Sequence, residues 1–188
     1  MKKYILIAGV NGAGKSTLYQ TLDSLKDIPR INTDEIVRSF GNWKNADDVM
    51  KAGKIAVKKI QECFDKGITF NQETTLCGSS IIRNIKKAKE LGYEVELHYV
   101  GVNSAEIAKE RIAYRVLQGG HGVPDMDVER RYIESLNRLR EVLDLCEMVV
   151  LYDNTEAFRR FAIYKNGEIC SVSGTQPEWY KRWKEGAY

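Results

Sequence analysis

The stretch YILIAGVNGAGKST, Tyr4 to Thr17, decides the fold. Its first five residues are continuously apolar and rich in β-formers, which predicts a strand buried on both faces. The next eight, Gly9 to Ser16, follow the pattern GxxxxGK[ST]. Glycines at these places let the backbone curl so that successive N–H groups face one anion. The helix that follows adds the partial positive charge of its N-terminus. Lys15 is spaced for the β- and γ-phosphates of a nucleotide, and Ser16 for Mg²⁺. Gly9, Asn11, Gly12, Ala13, Gly14, Lys15, Ser16 and Thr17 are therefore the candidate ATP-binding residues. The motif implies a nucleoside triphosphate without specifying a reaction.

Working outward, strands and helices alternate. IPRIN at 28–32, ITFNQ at 68–72, YEVELHYVGV at 93–102 and MVVLYD at 148–153 read as further strands. Between them, Asn45 is placed to cap a helix whose core face would be Met50, Gly53, Val57, Ile60 and Phe64. Residues 79–91 form a helix stopped by Gly92. Asn103, with Glu106 three residues on, marks another helix start. Val128, Tyr132, Leu136, Leu139 and Leu143 give the core face of a later one. RFAIYKNGEICSV reads as a hairpin turned at Asn166-Gly167. Trp179 and Trp183, four apart, mark a short helix packed back on the body. The expected fold class is α/β: a P-loop NTPase, a three-layer sandwich with a mainly parallel five-stranded sheet. The C-terminal hairpin and helix, 159–188, are expected as an antiparallel appendage. The 188 residues suit one domain spanning 1–188.

Composition narrows the partners. A net charge of +3 does not call for nucleic acid. No apolar run approaches the ~20 residues of a membrane span, and the N-terminus lacks the apolar core of a signal peptide. Cys63, Cys77, Cys146 and Cys170 form no CxxC pair, so each is expected as an apolar filler in a reducing, cytoplasmic setting.

Two carboxylates stand where a ligand crevice would open, just past the carboxyl ends of strands. Asp34, in RINTDEI, is placed to orient an acceptor hydroxyl and take its proton during phosphate transfer. Thr33 or Asp34 could equally begin the helix Glu35 to Phe40 as its cap. Glu73, in NQETT, could bind Mg²⁺ through water or hydrogen-bond the acceptor. Asp153 ends a strand too, but comes late in chain order, which favours a structural or base-side role over magnesium.

RVLQGGHGVPDMDVERR, 115–131, carries two competing meanings. LQGGH looks like the LSGGQ signature of cassette ATPases. Yet a cassette signature opens a helix, whereas two glycines after a helix read as its C-terminal stop with freedom to bend, and Pro124 suits the start of the next helix. A lid over about 111–131 fits better, with Arg115 on one side and Arg130 and Arg131 on the other. Its closure would exclude water and bring cations to the γ-phosphate.

GVNGAGKST, INTDEI, FNQETTLCG, AKELGYEVELHYVGV, RVLQGGHGVP, ERRYIESL and LYDN together resemble the zeta-toxin-like P-loop kinases. The similarity is greatest to the short stand-alone members often labelled predicted ABC-type ATPase. The resemblance implies ATP and Mg²⁺ as cofactors and transfer to a hydroxyl of a small metabolite, foremost a nucleotide sugar such as UDP-N-acetylglucosamine. It implies an antitoxin partner as well. It implies a catalytic set of Lys15, Asp34 and Arg115, and acceptor contacts from Asn32, Asp34, Glu73 and Thr74. The family's second phosphate-contacting arginine has no direct counterpart here: the register meets His121, and Arg130 or Arg131 could supply the charge instead. The competing reading is a nucleotide switch or ATPase that acts through a protein partner without a small-molecule acceptor.

Overall fold

The computed structural model describes residues 1–188. Seven strands form one sheet: β1 (Lys3–Ala8), β2 (Arg30–Ile31), β3 (Phe70–Thr74), β4 (Glu94–Gly101), β5 (Met148–Asp153), β6 (Arg159–Lys165) and β7 (Glu168–Val172). Their order across the sheet is β2-β3-β1-β4-β5-β6-β7. The first five are parallel; β6 and β7 run antiparallel. The hairpin is therefore not an appendage, because β6 pairs with β5 along its length and extends the sheet. Asn166 and Gly167 turn it with φ of 49° and 81°, the pair of positive values a tight two-residue turn requires.

Seven helices flank the sheet: α1 (Lys15–Thr21), α2 (Thr33–Phe40), α3 (Ala46–Lys66), α4 (Ser80–Glu90), α5 (Ala105–Leu117), α6 (Asp125–Val142) and α7 (Glu178–Lys184). From Val95 to Gly101 every residue of β4 is buried, so both faces of the sheet are covered. β1 lies between β3 and β4. The connection from β1 runs to β2 on one side and the later one from β3 crosses to β4 on the other, which opens a crevice beyond the carboxyl end of β1, where Gly9–Ser16 sits.

Local details depart from the sequence reading in five places. Asn45 caps α3 as expected, accepting from Asp47 N at 2.9 Å. The core face of α3, however, is Ala52, Ala56, Ile60, Cys63 and Phe64, while Met50 and Val57 are exposed. Ile60 and Phe64 belong to both sets, and toward the N-terminal half of the helix Ala52 and Ala56 are buried in place of Met50 and Val57. The cap of α2 is Asn32 rather than Thr33 or Asp34, and the cap of α5 is Ser104 rather than Asn103. Cys63 and Cys146 are buried fillers, but Cys77 is half-buried and Cys170 exposed. The helix α6 buries Val128, Tyr132, Leu136 and Leu139 as its spacing predicts, whereas Leu143 falls just past its end and is half-buried.

The C-terminal helix is tied to the sheet. Trp179 is fully buried, packed on Tyr99 and Phe161. Its indole N–H donates to Asp153 Oδ1 at 3.2 Å, and its backbone N–H donates to Asn103 Oδ1 at 3.1 Å. Trp183 Nε1 donates to the Leu136 carbonyl at 2.9 Å. Replacing Trp179 by alanine leaves a large cavity and a buried carboxylate short of one donor. The expected cost is about 3–5 kcal/mol, measurable as a lowered urea midpoint in equilibrium unfolding.

Candidate active site

The phosphate cradle is built from backbone. Gly14 has φ of 108°, a value side-chain-bearing residues rarely adopt. The space a Cβ would fill there is taken by the Asn154 amide, just past β5. Asn154 Nδ2 donates to the Ala13 carbonyl at 2.8 Å. Lys15 is buried and folds back on the loop, donating to the Gly9 and Val10 carbonyls at 2.9 and 3.1 Å. Burial pushes its ammonium pKa down, while the Glu73 and Asp34 carboxylates oppose that shift.

The strand ends β2 and β3 meet beside it. Ser16 Oγ lies 3.5 Å from Glu73 Oε1. Glu73 Oε2 accepts from Arg30 NH2 at 2.6 Å and from Asn32 Nδ2 at 2.9 Å. The other end of the Asn32 amide accepts from Asp34 N at 2.9 Å and Glu35 N at 3.4 Å. One side chain thus caps α2 and holds Glu73. That sets where Asp34, in the first turn of α2, faces the crevice. Arg30 is itself bracketed by Glu35 at 2.5 Å and by the Tyr19 ring, 3.8 Å from its guanidinium. Thr74 Oγ1 accepts from Leu76 N at 3.0 Å and so shapes the turn after β3. Asp153 is fully engaged at the end of β5, accepting from Thr155 Oγ1 at 2.7 Å besides Trp179. Its structural role agrees with its late place in chain order.

Helix α5 ends at the glycine pair. Gly119, with φ of 80°, donates to the Val116 carbonyl, and Gly120 donates to that of Arg115, both at 2.9 Å. These two bonds are the Schellman pattern of a helix stop. LQGGH therefore closes a helix, the reverse of the cassette signature. Arg115 Nε donates to the His121 carbonyl at 2.8 Å, which folds the loop back over α5. The NH2 of Arg115 and the NH1 of Arg111 are buried without partners. Buried cationic donors left unpaired are costly and suit an anion. Arg111 escaped the sequence reading as a site residue. Its signal was there: it stands one helical turn before Arg115.

The three candidates for the second cation separate cleanly. Arg131 NH1 donates to Asn11 Oδ1 of the phosphate loop at 3.0 Å. Arg130 is largely exposed and paired with Asp127 at 3.0 Å and Glu134 at 2.9 Å. His121 Nε2 stands 3.8 Å from Asp34 Oδ1, its ring packed 5.1 Å from Trp43.

Two cavities adjoin here. One, of about 720 Å³, is lined by the phosphate loop with Thr17, Arg38, Arg111, Arg115 and Asn154. The other, of about 830 Å³, is lined by Trp43, Thr74, Cys77, Arg130 and Arg131. Asn11, Lys15, Asn32, Asp34, Glu73 and His121 line both and form the wall between them.

A phosphate loop at the switch point of a mainly parallel sheet, with a helix–loop–helix over it, defines a P-loop kinase-like fold. The chain belongs to the Zeta toxin family, whose family model matches residues 1–175. An uncharacterized protein of Haemophilus influenzae is 39% identical over 132 residues, covering 69% of this chain and 92% of that one. Among solved structures, AvrRxo1-ORF1:-ORF2 with ATP is similar with a TM-score of 0.72 at 15% identity. The match covers 98% of this chain but only 63% of that one, so this chain spans less than two thirds of that neighbour. The PezAT chromosomal toxin-antitoxin system of Streptococcus pneumoniae matches with a TM-score of 0.64 at 19% identity, over 99% of this chain and 84% of that one. At these identities the two structures speak for the fold. No helix is long and apolar enough to cross a membrane.

Burial pushes the His121 imidazole pKa down from 6.5, Asp34 opposes this, and Arg115, Arg38 and Arg131 add to it. A group whose pKa is depressed on folding contributes stability above its unfolded value and loses it as pH falls through the folded one. The wild type should therefore lose stability relative to His121→Gln as pH drops below about 6.5. Paired thermal melts between neutral and mildly acidic pH would show the two curves converge or cross.

Proposed function

We propose that the chain is an ATP- and Mg²⁺-dependent phosphotransferase acting on a hydroxyl of a small metabolite, foremost a nucleotide sugar such as UDP-N-acetylglucosamine. One observation carries this reading: the cavity at the phosphate loop and the cavity under Trp43 share a wall that contains Lys15, Asp34 and Glu73. A donor and an acceptor placed on either side would meet at these groups. A neighbour in fold that was crystallised with ATP supports the nucleotide.

In this reading Gly9 to Thr17 cradle the triphosphate with backbone N–H groups. Lys15 exchanges its two carbonyl partners for phosphate oxygens. The unpaired guanidinium nitrogens of Arg111 and Arg115 take up charge on the transferring group. Arg131 approaches from the other cavity, where it already holds Asn11 of the phosphate loop. Asp34 orients the acceptor hydroxyl and receives its proton. Asn32, Glu73 and Thr74 contact the acceptor. The Ser16 hydroxyl, with a carboxylate 3.5 Å away, is an all-oxygen setting that fits Mg²⁺. No three His, Cys, Asp or Glu side chains cluster to hold a metal, so Ser16 would share the ion with phosphate oxygens and water. Bound there, Mg²⁺ would neutralise charge developing between the phosphates. The residues around 111–131 act as the lid. The family membership and the PezAT neighbour support an antitoxin partner. The free cysteines suit a reducing, cytoplasmic setting.

Purified protein given ATP, Mg²⁺ and a panel of nucleotide sugars should release a phosphorylated sugar nucleotide, read by mass spectrometry. ATP hydrolysis with no phosphorylated product from any acceptor or cell extract would instead favour a partner-dependent ATPase. Asp34→Ala should lower kcat by about 10²–10⁴-fold with ATP affinity little changed. Arg115→Ala should lower kcat by about 10³-fold; a variant that turns over like the wild type would remove Arg115 from the transfer step.

A further inference from the structure

His121 is the one residue of 111–131 that lines both cavities. It sits opposite the proposed base, with Nε2 at 3.8 Å from Asp34 Oδ1. That gap exceeds a hydrogen bond and is shorter than two. Catalytic contacts are often this loose without ligand and tighten in the reacting complex. Ring and backbone are each held. Trp43 packs against it, and the His121 carbonyl accepts from Arg115 Nε. Arg115 and His121 therefore approach or leave the crevice as one piece. Its side chain is 15% exposed, so it has solvent on one side and the site on the other.

We propose that His121 is a catalytic residue that finally holds the acceptor's proton. This rests on the phosphotransferase reading above. As the acceptor oxygen forms its bond to the γ-phosphorus, the bond from that phosphorus to the bridging oxygen of ADP breaks, and its electron pair leaves on ADP. The hydroxyl proton passes to Asp34 Oδ1 and from there to His121 Nε2. Asp34 is then a carboxylate again, and the imidazolium beside it gives the proton to water on its exposed side. Imidazole is the side chain best suited to take up a proton near neutral pH. Four charged groups face the ring: Asp34 and Arg38 from α2, Arg115 from α5 and Arg131 from α6. Together with burial, the three arginines keep it neutral before transfer, as a proton acceptor must be. Asp34 stabilises it once charged.

The test compares wild type with His121→Ala, His121→Gln and His121→Arg. Each is assayed with ATP, Mg²⁺ and UDP-N-acetylglucosamine, and separately with water as the only acceptor. Thermal melts and ATP affinity check that each variant is folded and loaded. The inference expects kcat to fall about 10- to 100-fold in the alanine and glutamine variants, within the range of a proton-transfer group, with KM for ATP near the wild-type value. It expects the acid limb of the kcat–pH profile to move to lower pH in both, where only Asp34 still has to be deprotonated, and added imidazole to restore His121→Ala. Wild-type rates in His121→Gln would overturn it, since glutamine cannot take a proton. Recovery in His121→Arg without imidazole rescue of His121→Ala would also overturn it and make His121 a phosphate contact. A wild type that phosphorylates neither UDP-N-acetylglucosamine nor any acceptor of the wider panel or cell extract overturns the phosphotransferase reading itself and this step with it.

Discussion

The buried ammonium of Lys15 sets the terms for the rest of the site. A charge taken out of water is tolerated only where other groups compensate it. Two backbone carbonyls of its own loop accept from it, and the carboxylates of Asp34 and Glu73 hold its charge from further off. Those carboxylates need support in turn. Glu73 is held by Arg30 and Asn32, and Asn32 caps the helix that presents Asp34. The strand end β2, only two residues long, thus anchors most of the crevice through side chains rather than through its own hydrogen bonds. Nucleotide phosphates would extend this balance, because they add negative charge where Lys15, Arg111 and Arg115 hold unspent positive charge.

A second line of support comes from the far end of the chain. Asp153 and Asn154 are neighbours at the end of β5 but serve different partners. Asp153 accepts from Trp179 and Thr155, which fastens α7 to the sheet. Asn154 grips the Ala13 carbonyl and occupies the space beside Gly14. Thr155 in turn gives its carbonyl to Arg111. Packing of the C-terminal helix and the shape of the phosphate loop therefore meet in three consecutive residues. The hairpin β6–β7 belongs to the same frame, since β6 completes the pairing of β5.

Much of the fold was legible because its signals are local. A five-residue apolar run followed by glycines, Lys15 and Ser16 encodes a buried strand, a curled loop and a helix start in one short stretch. Asn45 and the glycine pair at 119–120 likewise act through backbone groups only a few positions away. The errors have the same origin. Asn32, Thr33 and Asp34 are all good caps by residue type, and only the direction of the chain after β2 decides that Asn32 accepts the N–H bonds. On α3, Met50 and Val57 keep helical spacing with Ile60 and Phe64, as Ala52 and Ala56 do, and only the packing of the helix decides that the alanines are buried.

By itself the sequence determined the phosphate loop, the alternation of strands and helices, and the chemistry on offer in Asp34, Glu73, Arg115 and His121. Periodicity, glycine conformation and side-chain type are properties of short stretches, and they survive without a fold. The tertiary structure alone decided which groups meet. Arg131 reaches Asn11 across 120 positions, and Asn154 reaches Ala13 across 141. Arg130, next to Arg131 in sequence, lines the second cavity too but pairs with Asp127 and Glu134, because successive residues on a helix project about 100° apart and only Arg131 reaches the phosphate loop. His121 comes opposite Asp34 because a left-handed glycine ends α5 where the loop must turn back, a geometry set by packing against Trp43 and Arg115 as well as by the glycine.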